Sequence, residues 1–187
     1  VLSPLLPNII ENVGLTPGQA GFALTLMWGF TALTQFPGGQ ISDELTRKTV
    51  IVLSILCMLV GFGVLMSARL YLQILLGAII IGFGTGFFPP AAYALISDLF
   101  NNRRGRAVGI YLSSFNFGGV AASILAIGAL AIGTWRFAFP PVLIVLLAVA
   151  FLMHYWNREP YIFSKTNLEV VDTARGIAGP GKLRSII

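Results

Sequence analysis

Very few side chains in this chain could make or break a bond. It has one histidine, His154, and one cysteine, Cys57, among 187 residues. His154 has no carboxylate beside it in sequence, and Cys57 lies within a long apolar run. A nucleophile–base pair, a metal set or a paired-carboxylate site therefore cannot be assembled from them. No catalytic residue, metal ligand or cofactor is expected, and the chain does not read as an enzyme. What it offers is hydrogen bonding in apolar surroundings. Trp28, Thr31 and Gln35 recur at i, i+3 and i+7, which places them on one stripe of a helix. Ser113, Asn116, Val120 and Ser123 make a second stripe, with Asn116 its one amide, and Tyr93 stands on another segment. Hydroxyls, amides and aromatic rings suit a small neutral or amphiphilic solute better than a multiply charged one. The competing structural reading is hydrogen bonding between helices, worth about 0.6 kcal/mol on average.

The elements that must position these groups are long and uncharged. Charge-free intervals cover residues 12–42, 49–68, 70–97, 107–135 and 137–157. Each can supply the roughly 20 apolar helical residues that one hydrocarbon crossing needs. With 56% hydrophobic and 10% charged residues and a mean hydropathy of +0.85, the chain is too apolar for an ordinary water-soluble domain. Its basic residues fall on every second junction. Arg47 and Lys48, then Arg103, Arg104 and Arg106, then Arg158, Lys165, Arg175, Lys182 and Arg184 account for ten of the 12. Arg69 and Arg136 hold the intervening junctions. That alternation is the positive-inside rule applied to five crossings. It places residues 40–48 and 101–106 in the cytoplasm of a multi-pass cell-membrane protein, with Arg69 and Arg136 outside. The net charge of +5 is thus topogenic, and nucleic acid is not an expected partner; the lipid bilayer is.

The spans expected are about 18–39, 49–67, 71–96, 107–132 and 137–155. Residues 1–8 read as the last two turns of a preceding helix, closed by Pro4 and Pro7. Thr16 and Pro17 fit an N-cap followed by proline at the first helical position. The pair Pro37-Gly38 and Gly39 reads as the end of the first full span. Gly82 and Gly86 make a small-xxx-small pair, and Gly118-Gly119 suggests a close approach of the fourth span to a neighbour. Trp135 is expected as an interface anchor, and His154, Tyr155 and Trp156 as an aromatic belt. Residues 1–156 form the helical bundle. Residues 157–187, polar and basic, read as a cytoplasmic linker.

Between the first and second full spans stands Gly39-Gln40-Ile41-Ser42-Asp43-Glu44-Leu45-Thr46-Arg47-Lys48. It resembles the signature loop of the major facilitator superfamily, G-x-L-(A/S)-D-(R/K)-x-G-(R/K)-(R/K). Gly39, Asp43, Arg47 and Lys48 match in position; Glu44 departs where a basic residue is usual, and Thr46 where glycine is. The stretch from Ile96-Ser97-Asp98 to Arg103-Arg104-Gly105-Arg106 is similar to the family's junction between helices four and five. Thr134-Trp135-Arg136-Phe137-Ala138-Phe139 resembles its G-W-R-x-x-F turn before helix six.

The resemblance implies an all-α membrane protein: the amino-terminal six-helix bundle of a twelve-helix transporter, with five spans complete in this chain. It implies secondary active transport of an unidentified small-molecule substrate by alternating access, with a carboxy-terminal six-helix half as partner. It also implies a gate in which Asp43 faces a helix amino-terminus of that second half, and Arg47 pairs with Asp98. Lys48, Arg103 and Arg104 belong to the same gating motif. A non-transporting receptor or scaffold of the same fold is the alternative, with an intramembrane enzyme further behind. The proton-linked R-x-x-Q-G pattern is absent, Ala78 standing before Gly82, and the antiporter G-P-x-x-G-G survives only as its glycine pair in Ser114-Phe115-Asn116-Phe117-Gly118-Gly119.

Overall fold

The structure, a computed structural model, describes residues 2–156; the linker expected over residues 157–187 lies outside them. Six α-helices follow one another: α1 (Leu2–Val13), α2 (Pro17–Glu44), α3 (Arg47–Ser67), α4 (Tyr71–Leu99), α5 (Arg104–Ile132) and α6 (Phe139–Trp156). Single 3-10 turns, Asn101–Arg103 and Trp135–Ala138, precede α5 and α6. Among the described residues, four helical segments are long and apolar enough to cross a membrane: Arg47–Ser67, Tyr71–Leu99, Asn101–Ile132 and Trp135–Tyr155. The fifth expected crossing, residues 18–39, is α2. With 28 residues it matches them in length, but Gln19, Thr25, Thr31, Thr34 and Gln35 interrupt its apolar run.

Helix starts follow the sequence closely. Thr16 caps α2: its Oγ1 accepts from the Gln19 backbone N–H at 3.2 Å, the Gln19 side chain accepts from the Thr16 N–H at 2.9 Å, and Pro17 follows. Helix ends do not follow the prolines. α1 continues past Pro4 and Pro7 to Val13 and closes at Gly14, whose φ of 72° lets the Leu15 N–H return to the Ile10 carbonyl at 2.9 Å. α2 likewise runs through Pro37-Gly38-Gly39 to Glu44, so most of the expected loop is helix. In a bilayer a backbone that leaves the helix has no water to turn to, and a proline costs less than an unwound turn. Packing supports the site: a Cβ at Gly38 would meet the Phe87 ring at 3.1 Å and Pro90 Cγ at 3.2 Å.

α4 is the centre, packed against α2 on one side and α3 on the other. Its glycines divide between them. Gly82 and Gly86 face α2, where added Cβ atoms would come within 2.6 Å of the Met27 carbonyl oxygen and 2.5 Å of that of Thr31. Gly77 and Gly84 face α3, within 3.2 Å of the Gly61 oxygen and 2.8 Å of the Ser54 oxygen. The expected pair Gly82/Gly86 is a packing face, and Gly84 serves the opposite one. Gly118-Gly119 corrects its expectation: nothing among the described residues lies within 4 Å of either added Cβ.

Trp135 is a second correction. It is 1% exposed, not an interface anchor. Its ring meets Phe139 edge-on at 5.7 Å, and the Arg136 guanidinium lies 4.4 Å over its face. It joins Leu5, Ile9, Leu65 and Phe139 in the larger apolar cluster, at the end of the bundle carrying Arg69 and Arg136. Val50, Ile51, Ile55, Ala91 and Ala150 form the smaller cluster toward the basic end. Of the expected aromatic belt, His154 and Tyr155 are exposed and their rings touch at 5.4 Å; the Trp156 side chain lies outside the described residues.

Candidate functional site

The basic end brings three helix termini to one guanidinium. α2 ends at Glu44, Leu45 and Thr46 are extended, and α3 begins at Arg47. Thr46, where glycine was usual, sits at φ −64° and ψ 138°, a conformation any residue adopts. It caps α3, its Oγ1 accepting from the Thr49 N–H at 3.4 Å and lying 2.6 Å from the Thr49 hydroxyl. Threonine thus turns the chain and starts the next helix at once.

Arg47, with a side chain 15% exposed, pairs with Asp98 in the last turn of α4 and comes within 4.0 Å of Asp43 in the last turn of α2. Each of these charges opposes its own helix. A helix amino-terminus favours anions and a carboxy-terminus cations, yet Arg47 opens α3 while Asp43 and Asp98 close α2 and α4. Helix stability alone does not place them so; their attraction for one another offsets the penalty. The two contacts are unequal. Asp43 is 71% exposed, and an exposed pair is worth about 0–1 kcal/mol. Asp98 is half-shielded and holds the closer contact.

The other motif residues turn elsewhere. Lys48 Nζ donates to the His154 carbonyl of α6 at 2.8 Å. Arg104 donates to Asn101 Oδ1 at 2.7 Å, and Arg103 is exposed at the end of its 3-10 turn. Gly39 has open space at its Cβ position; the close approach belongs to Gly38. Ser42, which matches the motif in type, is 1% exposed, and its hydroxyl has no hydrogen-bond partner among the described residues.

The solute-binding candidates separate. Thr31 is corrected: it is 6% exposed and lies in the α2–α4 contact, donating to the Met27 carbonyl at 2.8 Å and lying 2.8 Å from Thr85 Oγ1. Its offset of three residues from Trp28 turns it 60° off the stripe, enough to reach α4. Thr85 was not anticipated, because a threonine beside glycines in an apolar run gives no signal of which neighbour it meets. Trp28 and Gln35 remain exposed, seven residues apart on one face. Ser113 and Asn116 are exposed on α5, where the Asn116 amide donates to the Leu112 carbonyl at 3.0 Å. Tyr93 is half-buried against Tyr111, ring centroids 5.1 Å apart, and this pair ties α4 to α5. No group of three or more metal-ligating side chains occurs among the described residues.

A family model described as Major Facilitator Superfamily matches residues 1–183. The chain is 32% identical over 161 residues to the "Probable 4-methylmuconolactone transporter" of Cupriavidus pinatubonensis, covering 83% of this chain and 37% of that protein. It is 26% identical over 164 residues to the "Probable nitrate transporter NarT" of Staphylococcus haemolyticus, 87% of this chain and 42% of the relative. The "Multidrug resistance protein MdtG" of Salmonella arizonae aligns over 199 positions at 25% identity, with all of this chain and 48% of that one. The chain therefore spans less than half the length of these relatives.

Proposed function

The chain belongs to the major facilitator superfamily, and on that premise we propose that it is the amino-terminal half of a secondary transporter. In this reading a small solute crosses the cell membrane by alternating access between this bundle and a carboxy-terminal one. The basic end faces the cytoplasm, and the cluster of Asp43, Arg47 and Asp98 latches that side shut. The observation that carries the reading is the placement of all three charges against their own helix dipoles, converging on Arg47. Such a cluster is costly when its members are apart and favourable when they meet, which is what a two-state latch requires. Relatives named for a lactone, for nitrate and for drugs support transport in general and leave the solute open. Trp28, Gln35, Tyr93, Ser113 and Asn116 favour a small neutral or amphiphilic solute, since residues 18–39, 49–67, 71–96, 107–132 and 137–155 contain no Asp, Glu, Lys or Arg.

Asp98→Asn in the full-length protein tests the latch. Losing a charged hydrogen-bond partner costs about 1.5–3 kcal/mol, a roughly tenfold or larger shift in a balanced equilibrium. Labelling of a cysteine at position 102 should rise and uptake into liposomes should fall. Asp43→Asn should act in the same direction but more weakly, by several-fold at most. Unchanged labelling and uptake in both variants would reduce the cluster to a topogenic role.

A further inference from the structure

α3 and α6 are neighbours without a turn to align them. The register of α3 against α4 is set by the three-residue connection Ala68-Arg69-Leu70, whereas α4 and α5 intervene between α3 and α6. Between the ends the two helices meet through apolar side chains: Ala150 with Val50, Ile51 and Ile55 toward one end, and Phe62 against Phe139, centroids 6.0 Å apart, toward the other. Such contacts are non-directional, and lipid tails offer no hydrophobic drive to hold one helix at a fixed height beside another.

Directional contacts stand at both ends. Lys48, in the first turn of α3, donates to the His154 carbonyl in the last turn of α6 at 2.8 Å. Arg136, just before α6, donates from Nε to the Met66 carbonyl at 3.2 Å and from a terminal nitrogen to the Ala68 carbonyl at 2.7 Å. Met66 lies in the last turn of α3, which ends at Ser67, and Ala68 is its C-cap. Each cation therefore takes carbonyls that the end of a helix leaves without an internal partner, at the end where the dipole favours a cation. The pattern is reciprocal, the amino-terminal side of each helix holding the carboxy-terminal end of the other.

The spacing matches as well. From Lys48 to Met66 is 18 residues, and from Arg136 to His154 is 18 residues. Along α3 that is five full turns and about 27 Å, so Lys48 and Met66 lie on one face; on the partner side α6 covers residues 139–154 of the interval and the 3-10 turn Trp135–Ala138, at about 2 Å per residue, supplies the remainder. Two antiparallel helices can be joined at both ends only when these distances agree.

We propose that Lys48 and Arg136 are matched clips that fix the axial register of α3 against α6. Lys48 is then a positioning residue for α6, and the basic doublet divides its work: Arg47 gathers Asp43 and Asp98, and Lys48 holds the end of the helix leading toward residue 157. A slip of one residue along the pair would break both clips together, so the two helices travel as one strut in any rearrangement. This inference does not rest on the transport reading.

The test is a pair of distance measurements by double electron–electron resonance on the full-length protein in nanodiscs, with Cys57→Ala as background. One label pair, Leu53→Cys with Leu152→Cys, reports the basic end; the other, Val60→Cys with Ile144→Cys, reports the opposite half, all four positions being exposed. Lys48→Met should broaden the first distribution or shift it by about 1.5 Å per residue of slip, and Lys48→Arg should restore it. Arg136→Gln should act mainly on the second pair, and the double variant on both. Distributions as narrow as the parent in Lys48→Met and Arg136→Gln would overturn the proposal. So would a Lys48→Met variant that opens position 102 to labelling as Asp98→Asn does, with both distances unmoved. Should either variant fail to accumulate, the same two distances measured in Lys48→Ala and Arg136→Ala decide the matter: distributions as narrow as the parent would again reject the proposal.

Discussion

The α2–α3–α4 group and α5 use the same residue type to opposite ends. In the group, Gly61, Gly77, Gly82, Gly84 and Gly86 bring backbones so close that any side chain would collide with a neighbouring backbone or an apolar side chain. On α5, Gly105, Gly109, Gly118, Gly119 and Gly128 face open space, and only Ala126 and Ala129 are buried among its residues. α5 touches the rest through the Tyr93–Tyr111 pair and its last turns. Glycine content therefore does not locate a helix interface; the interface is located by which glycines another backbone reaches. The group is a finished piece of packing, and α5 presents polar side chains to a space that the described residues do not fill.

The largest effect that could break this contrast is at Gly86. A Cβ there would run into the Thr34 hydroxyl and lie 2.5 Å from the Thr31 carbonyl oxygen, a backbone atom that cannot swing aside. Gly86→Val should cost about 1–3 kcal/mol or more, read as a lowered unfolding temperature and a broadened gel-filtration peak. A stable, monodisperse Gly86→Val would mean that α2 and α4 are not in this contact. A smaller effect is expected at Thr31. Thr31→Val removes the hydroxyl bridge to Thr85 while keeping shape, and should destabilise by about 0.6 kcal/mol in chemical unfolding. A loss several times larger would give that bridge a role beyond packing. At Gly118 the sign should reverse. Alanine meets nothing and restricts the unfolded chain, so Gly118→Ala should be neutral or stabilising by about 0.4–1 kcal/mol. Destabilisation there by the same assay would erase the distinction.

Much of this was legible in the residues. Uncharged runs marked the helices because no other structure of that length satisfies its backbone in lipid. Thr16, Pro17 and Gln19 marked the start of α2 because capping is local chemistry. The converging charges were legible as a motif, with Arg47 and Asp98 on opposite sides of a whole helical hairpin. Three features were not legible, each for a different reason. Pro7 and Pro37 look like helix ends by rules learned in water, where a broken backbone can be solvated. Trp135 looks like an interface residue because aromatics gather there, yet its burial depends on Leu5 and Ile9, more than a hundred residues away. Thr31 shares a stripe with Trp28 and Gln35 only approximately, and the residual rotation decides between open space and Thr85.

The connection Ala68-Arg69-Leu70 bears on how such a chain is built as well as on how it stands. Gln73 folds back to accept from the Arg69 and Leu70 N–H groups at 2.7 and 3.2 Å, closing the turn with its own side chain. Gly61 and Gly77 stand 16 positions apart in sequence, so their close approach closes a short loop at little entropic cost. α3 and α4 can therefore pair as soon as the second of them emerges during synthesis, and enter the bilayer as a hairpin. With the basic end facing the cytoplasm, as proposed, Arg69 is the one charge that the hairpin carries across, and α2 and α6 find an assembled surface on which to settle.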